Sequence, residues 1–264
     1  MLKQRVITAL LLAPVALLVI LWLPHEMTAV VFALLVAAGA WEWSAFPGFT
    51  RFPARIAYVV GITMCICLVG YVSAFRQYVD EVLMLACMWW VVALLWVAFF
   101  PSQVSRWSAA LAGVFVLVPA WIALVDLHSL APQLVLFLLL LVVAADVGAY
   151  FGGRRFGKHK LAPRVSPGKT WEGVIGGLVA AGFMAAVGVY WFQVRTAPFA
   201  ALCAVVVIAS IVGDLTESLF KRHAGLKDSG SLLPGHGGVL DRVDSVTAAA
   251  PIFLVGLERL GILR

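Results

Sequence analysis

Charge is scarce in this sequence. Only 12% of its 264 residues are Asp, Glu, Lys or Arg, against 63% hydrophobic, and the mean hydropathy is +1.03. Soluble domains carry about 25% charged residues, so a soluble globular protein is excluded. There is no long polar linker, no internal repeat and no run alternating apolar with polar, which excludes a separate water-soluble domain and a β-barrel. Cysteine is scarce too. Cys65, Cys67, Cys87 and Cys203 all lie inside apolar runs, so they read as small buried hydrophobes and neither as a disulfide set nor as a metal cage.

What is present is a series of apolar runs of bilayer-crossing length, about 20 residues each. Backbone groups in lipid must be satisfied within the segment, so the runs are helices. The expected architecture is an all-α, polytopic bundle of about nine transmembrane helices forming one membrane domain over residues 1–264. The expected spans are 1–23, 27–46, 56–75, 82–100, 109–125, 134–151, 173–192, 198–220 and 245–261. Lys3 and Arg5 before the first run resemble a signal peptide, but no small-x-small cleavage site follows, so an uncleaved helix is expected. Glu42, between Trp41 and Trp43, reads as an interfacial acid, and His128 as an interfacial histidine. Gly173, Gly177 and Ala181 form a small-residue ridge with a packing role.

With the N-terminus in the cytoplasm, alternation places fifteen of the 19 Lys and Arg residues inside. This satisfies the positive-inside rule and accounts for the net charge of +6 without nucleic acid. It also puts the two polar loops, 152–172 and 221–244, on one cytoplasmic face.

The polar residues concentrate between Asp214 and Asp244. Asp214, Ser218, Lys221 and Arg222 are spaced i, i+4, i+7 and i+8, one face of a helix. Lys227 and Asp228 follow, then Pro234-Gly235-His236-Gly237-Gly238, Asp241, Arg242 and Asp244. Carboxylates suit a divalent cation, with Asp214 and Asp241 the first choices as ligands and Asp244 the third. Lys221, Arg222, Lys227 and Arg242 suit phosphate, and His236 either proton transfer or a turn. In the other loop, Ser166, Lys169 and Thr170 precede a helix N-terminus, a setting for a triphosphate. A Walker loop fails there, because the required glycine position holds Pro163.

Ser218, Lys221-Arg222, Lys227-Asp228, Pro234, His236-Gly237-Gly238, Asp241-Arg242 and Asp244 resemble the signature of phosphatidate cytidylyltransferases (CDP-diacylglycerol synthases). The likeness extends to Asp146, Ala149-Tyr150, Gly153-Arg154, Phe156-Gly157, Lys158, Lys160, Ser166-Pro167-Gly168-Lys169-Thr170 and Glu172-Gly173. The resemblance implies CTP and phosphatidate as substrates, CDP-diacylglycerol and pyrophosphate as products, and phospholipid biosynthesis at a bacterial inner membrane. It implies catalysis by Asp214, Ser218, Lys221, Arg222, His236, Asp241 and Asp244, with Ser166, Lys169, Thr170, Lys227 and Arg242 holding the nucleotide. It also implies Mg2+ on the acidic motif positions. A second, monovalent cation and a homodimer stay open. The competing class is a secondary transporter of an anionic solute, but the polar residues gather at one face and no inverted repeat is present. The motif of CDP-alcohol phosphotransferases is absent, since Asp241 and Asp244 are only three residues apart.

Overall fold

The computed structural model describes residues 13–71, 77–101, 103–230, 232 and 237–261. The expected His236, and most of the expected first span, lie outside these residues. Nine helices succeed one another among the described residues, one for each expected span. They are α1 (Ala13–Trp22), α2 (His25–Trp43), α3 (Phe52–Tyr71), α4 (Val79–Ala98), α5 (Arg106–Leu130), α6 (Pro132–Phe156), α7 (Trp171–Phe192), α8 (Thr196–His223) and α9 (Leu240–Arg259). Helices α2 to α8 are each long and apolar enough to cross a bilayer. The described part of α1 is shorter, and α9 carries Asp241, Arg242 and Asp244 in its first two turns.

Local sequence sets several of these limits. Ser105 caps α5 by accepting from the Ser108 N–H at 3.0 Å, and Pro132 opens α6, where a missing N–H costs nothing. Helix α8 runs for 28 residues. At 1.5 Å per residue, Asp214 sits roughly 27 Å from its start, close to the far edge of a ~30 Å hydrocarbon layer. The polar stripe thus emerges where the apolar run ends.

The loop over 152–172 is more ordered than expected. Helix α6 continues to Phe156, and an antiparallel hairpin follows, β1 (Lys160–Ala162) pairing with β2 (Ser166–Thr170). Beyond α5's expected end the helix also runs on to Leu130. His128 is therefore buried within it, with Nε2 3.0 Å from the Ile20 carbonyl and its ring stacked on His25. The interfacial reading of His128 is corrected: two facing helix ends enclose it.

Helices α5 and α8 are the most enclosed of the spans. The tightest helix–helix seam joins α6 to α7. A Cβ placed on Gly148 would stand 2.5 Å from the Gly176 carbonyl oxygen and 2.8 Å from the Ala180 Cβ, and one on Gly152 would stand 2.9 Å from the Glu172 carbonyl oxygen. The expected ridge of Gly173, Gly177 and Ala181 is buried. The closest backbone approach, however, runs through Gly176 beside it. This seam holds the hairpin at the bundle's end, since hairpin and seam share one chain turn. Gly176→Val is expected to force the two backbones apart at a cost of about 1–3 kcal/mol, read as a lower thermal midpoint in detergent. Gly182→Val, which meets open space, should change stability by less than about 0.5 kcal/mol.

Candidate active site

One end of the bundle collects the polar side chains. Four pieces meet there: the C-terminal turns of α8, the first turns of α9, the β1–β2 hairpin and the C-terminal end of α2. Helices α8 and α9 touch through Gly213. A Cβ at that position would stand 2.6 Å from the Asp244 carbonyl oxygen and 3.1 Å from the Ala248 Cβ. Glycine therefore lets α9 bring Asp244 against the turn that carries Asp214.

Asp214 accepts from Ser218 Oγ at 3.3 Å, as the i, i+4 spacing predicts. Its cationic partner comes from elsewhere. Lys169 on β2 reaches across, with Nζ 2.7 Å from Asp214 Oδ2. Asp146 on α6 is close enough to interact electrostatically with both Lys169 and Asp214. The likeness that carried Asp146 and Lys169 thus unites with the α8 stripe in space.

Lys221 forms the second pair. Its Nζ lies 2.6 Å from Asp241 Oδ1 and 3.0 Å from Glu217 Oε1. Asp241 also accepts from the Gly238 N–H at 2.9 Å and the Ser229 N–H at 3.1 Å. Asp241 stands in the first turn of α9, ahead of the apolar stretch. Burial would raise its carboxyl, but hydrogen bonds from Lys221 and Gly238 outweigh that and hold it down at about 2. Its reach back to Gly238 resembles the return half of a capping box. Asp244 accepts from the Ser245 N–H at 2.7 Å and interacts with Asp214.

Glu217 was not among the expected site residues, yet it is 2% exposed and lies within the cluster. Neither of its carboxylate oxygens has an aligned hydrogen-bond donor among the described residues; the Lys221 ammonium faces it as an ion pair. Glu217, Asp244, Thr216, Thr247 and Gly213 line a narrow gap, too tight for water, that Trp43, Trp90 and Val116 close. The sequence signal was available, since a carboxylate in an apolar helix needs a partner.

The remaining expected residues divide. Thr170 is buried and caps α7, accepting from the Gly173 N–H at 3.1 Å, while Ser166 is half-buried at the start of β2. Arg222 donates to the Val165 carbonyl at 3.4 Å, tying α8 to the hairpin. Lys227 and Arg242 are exposed. Among the described residues no three acidic, histidine or cysteine side chains converge as a preformed metal cage.

Glu42 is the principal correction. It is 2% exposed and is no interfacial acid. One carboxylate oxygen accepts from the Val239 N–H at 3.0 Å; the other accepts from the Leu240 N–H at 2.8 Å and from Ser229 Oγ at 3.1 Å. The first N–H groups of a helix have no internal acceptor, and the helix dipole favours an anion there. Glu42 therefore fixes the start of α9, and with it Asp241. Gly230 and Gly238 pass so close to this carboxylate that a Cβ on either would collide with it. A charged residue between two tryptophans near a span's end was the signal, and only the fold supplies its partners.

A family profile described as the Cytidylyltransferase family matches residues 3–259. A protein named phosphatidate cytidylyltransferase from Pseudomonas aeruginosa is 47% identical over 262 residues, 96% of each chain. One of the same name from Haemophilus influenzae is 40% identical over 281 residues, covering 96% of this chain and 97% of its own.

Glu42→Gln is expected to place an amide N–H against the α9 donors and to loosen Asp241. Turnover per folded enzyme should fall about 10–100-fold and stability by about 1–3 kcal/mol, measured as kcat and thermal midpoint on the same preparation. A purely structural role would lower the midpoint and leave kcat unchanged.

Proposed function

Because this chain belongs to the cytidylyltransferase family, we propose that it transfers the cytidylyl group of CTP to phosphatidate, giving CDP-diacylglycerol and pyrophosphate. A phosphate oxygen of the lipid attacks the α-phosphorus of CTP. The new P–O bond forms as the bond to the β-phosphate oxygen breaks, and pyrophosphate leaves with the electron pair. The attacking oxygen is already anionic, so no strong base is needed. The work left to the protein is placement and charge neutralisation.

The observation that carries this reading is the meeting of Lys169–Asp214 and Lys221–Asp241 at one end of an apolar bundle. Lys169 is only half-buried, so its ammonium can pass from Asp214 to a triphosphate oxygen without leaving the site. Arg222 and Lys227 stand at the exposed rim, where they suit the outer phosphates of CTP. Ser218 holds Asp214 in place. Lys221 is enclosed by two carboxylates, which suits it to setting the position of Asp241 more than to gripping substrate.

The donor set fits Mg2+. Asp214 and Asp241 offer hard oxygen atoms that each already attract a cationic group at 2.7 and 2.6 Å. Mg2+ is commonly held by one or two carboxylates plus substrate phosphates and water, so a full protein cage is not required. Asp214 and Asp241 would hold it, with Asp244 third, and the ion would neutralise charge on the triphosphate. The bias of cations toward this end of the bundle supports a cytoplasmic active site in a bacterial inner membrane.

Asp214→Asn and Asp241→Asn are each expected to lower turnover about a hundredfold or more and to raise the Mg2+ concentration needed for half-maximal rate, while the protein still inserts. Labelled CTP converted to lipid-soluble product by membrane fractions measures this. Turnover and Mg2+ dependence equal to the parent in both variants would remove these carboxylates from the mechanism.

A further inference from the structure

On the side of α9 away from α8 runs a cavity, a long cleft of about 390 Å3. It lies between α1, α2, α5, α6 and α9, and its walls include Ile20, Phe32, Val36, Leu124 and Leu139. Along α2 alone it extends from Val31 to Gly39, a rise of roughly 12 Å. Its deep end reaches Ile20, whose carbonyl meets His128, and Val135 in the first turn of α6. Among the described residues Arg242, in the first turn of α9, is its one charged lining residue, which puts a cation at the end of the cleft where α9 begins. Val15 and Leu35, on facing helices of the cleft, are 58% and 44% exposed, so the cleft is accessible from the side of the bundle. Thr247 lines both this cleft and the narrow gap beside Glu217 and Asp244.

We propose that this cleft holds one acyl chain of the phosphatidate substrate, with Arg242 at its head against the lipid phosphate. The inference rests on the phosphatidate reading given above and adds the place where that substrate is recognised. Charge complementarity selects the occupant: an apolar tube ending in one guanidinium fits an apolar chain ending in one anionic phosphate. Arg242 and Asp241 both stand in the first turn of α9, so a phosphate at Arg242 lies at the same end of the bundle as that carboxylate, on the neighbouring face of the helix. A neutral solute has no use for the cation, and an ion has no use for the apolar walls. The chain passes from apolar lipid to an apolar cleft, so the walls select by the length and shape they admit and not by transfer from water.

Val36→Trp and Leu139→Trp narrow the cleft from two different helices at half-buried positions. Each is compared with the parent on dioctanoyl and dipalmitoyl phosphatidate in detergent micelles at equal CTP. The ratio of kcat/KM for the long-chain to the short-chain substrate is expected to fall about tenfold, because the indole occupies space the longer chain needs. An unchanged ratio in both variants overturns the proposal. A second measurement needs no variant. The parent enzyme is labelled with phosphatidate bearing a mid-chain diazirine, and separately with phosphatidylcholine bearing the same group. Label at Phe32, Leu124 or Leu139 from phosphatidate alone is the expected result. Equal label there from both lipids, or label confined to outward-facing residues such as Met88 and Phe183, overturns it. Should the unmodified enzyme make no product from CTP and either phosphatidate, the reading of function fails, separately from the cleft.

Discussion

Lys221 stands between two carboxylates, 2.6 Å from Asp241 and 3.0 Å from Glu217, at the end of a helix that is otherwise apolar. A charge at that depth must be paired, because the surrounding helices cannot solvate it. The pairing also fixes geometry. Glu217 and Lys221 are one turn apart on α8, whereas Asp241 belongs to α9. The ion contact therefore sets how far α9 can slide or turn against α8, and Gly213 supplies the close approach that lets the contact form. Asp244 in turn interacts electrostatically with Lys221 and with Asp214.

The start of α9 is where these constraints meet. Glu42 from α2 accepts two of its free N–H groups, and Asp241 accepts a third from Gly238 while it holds Lys221. Ser229 donates its hydroxyl to one carboxylate and its N–H to the other. The glycines at 230 and 238 matter here because a side chain would occupy the space of Glu42. On the opposite flank, Arg222 binds the Val165 carbonyl and draws the hairpin, with Lys169, toward α8. Glu42, Asp241 and Arg222 thus tie the four chain segments together through bonds that end on backbone atoms, and the side-chain pairs of Asp214 and Lys221 form within that frame. Such anchoring keeps a polar site rigid at a membrane edge, where few apolar contacts remain to do so.

Much of this was legible before the structure. Apolar runs gave one helix each, because lipid leaves the backbone no other solution, and helical spacing placed Ser218 beside Asp214. Two kinds of feature escaped. The first are partners across helices. Spacing orders side chains on one helix but says nothing about the phase of its neighbour, so Lys169 for Asp214 and Asp241 for Lys221 could not be read. Glu42 failed for the same reason: its position near a span's end suits an interfacial acid equally well, and only the arrival of Ser229, Val239 and Leu240 decides the matter. The second are ends of elements. His128 read as an interfacial histidine beyond the expected end of its span at residue 125, but α5 continues past it to Leu130. The Ser166–Thr170 stretch, rich in turn formers, is a strand because β1 pairs with it.

The placement of charge by depth bears on how one site can serve two unlike substrates. Glu42 and Glu217 are buried and Asp241 and Asp244 half-buried, whereas Arg222, Lys227 and Arg242 are exposed. An inner group of acids around the buried Lys221, with further bases at the rim, differs from a bare lipid-anchoring patch, which needs cations alone. An inner acidic layer attracts cations and an outer basic layer attracts phosphates, and both attractions strengthen as water is excluded. Arg242 belongs to both the rim and the apolar cleft. A lipid phosphate drawn to it is held at the boundary between the two layers while its tail stays in an apolar space. The nucleotide then needs to reach only the rim, and neither substrate has to cross the other's solvent.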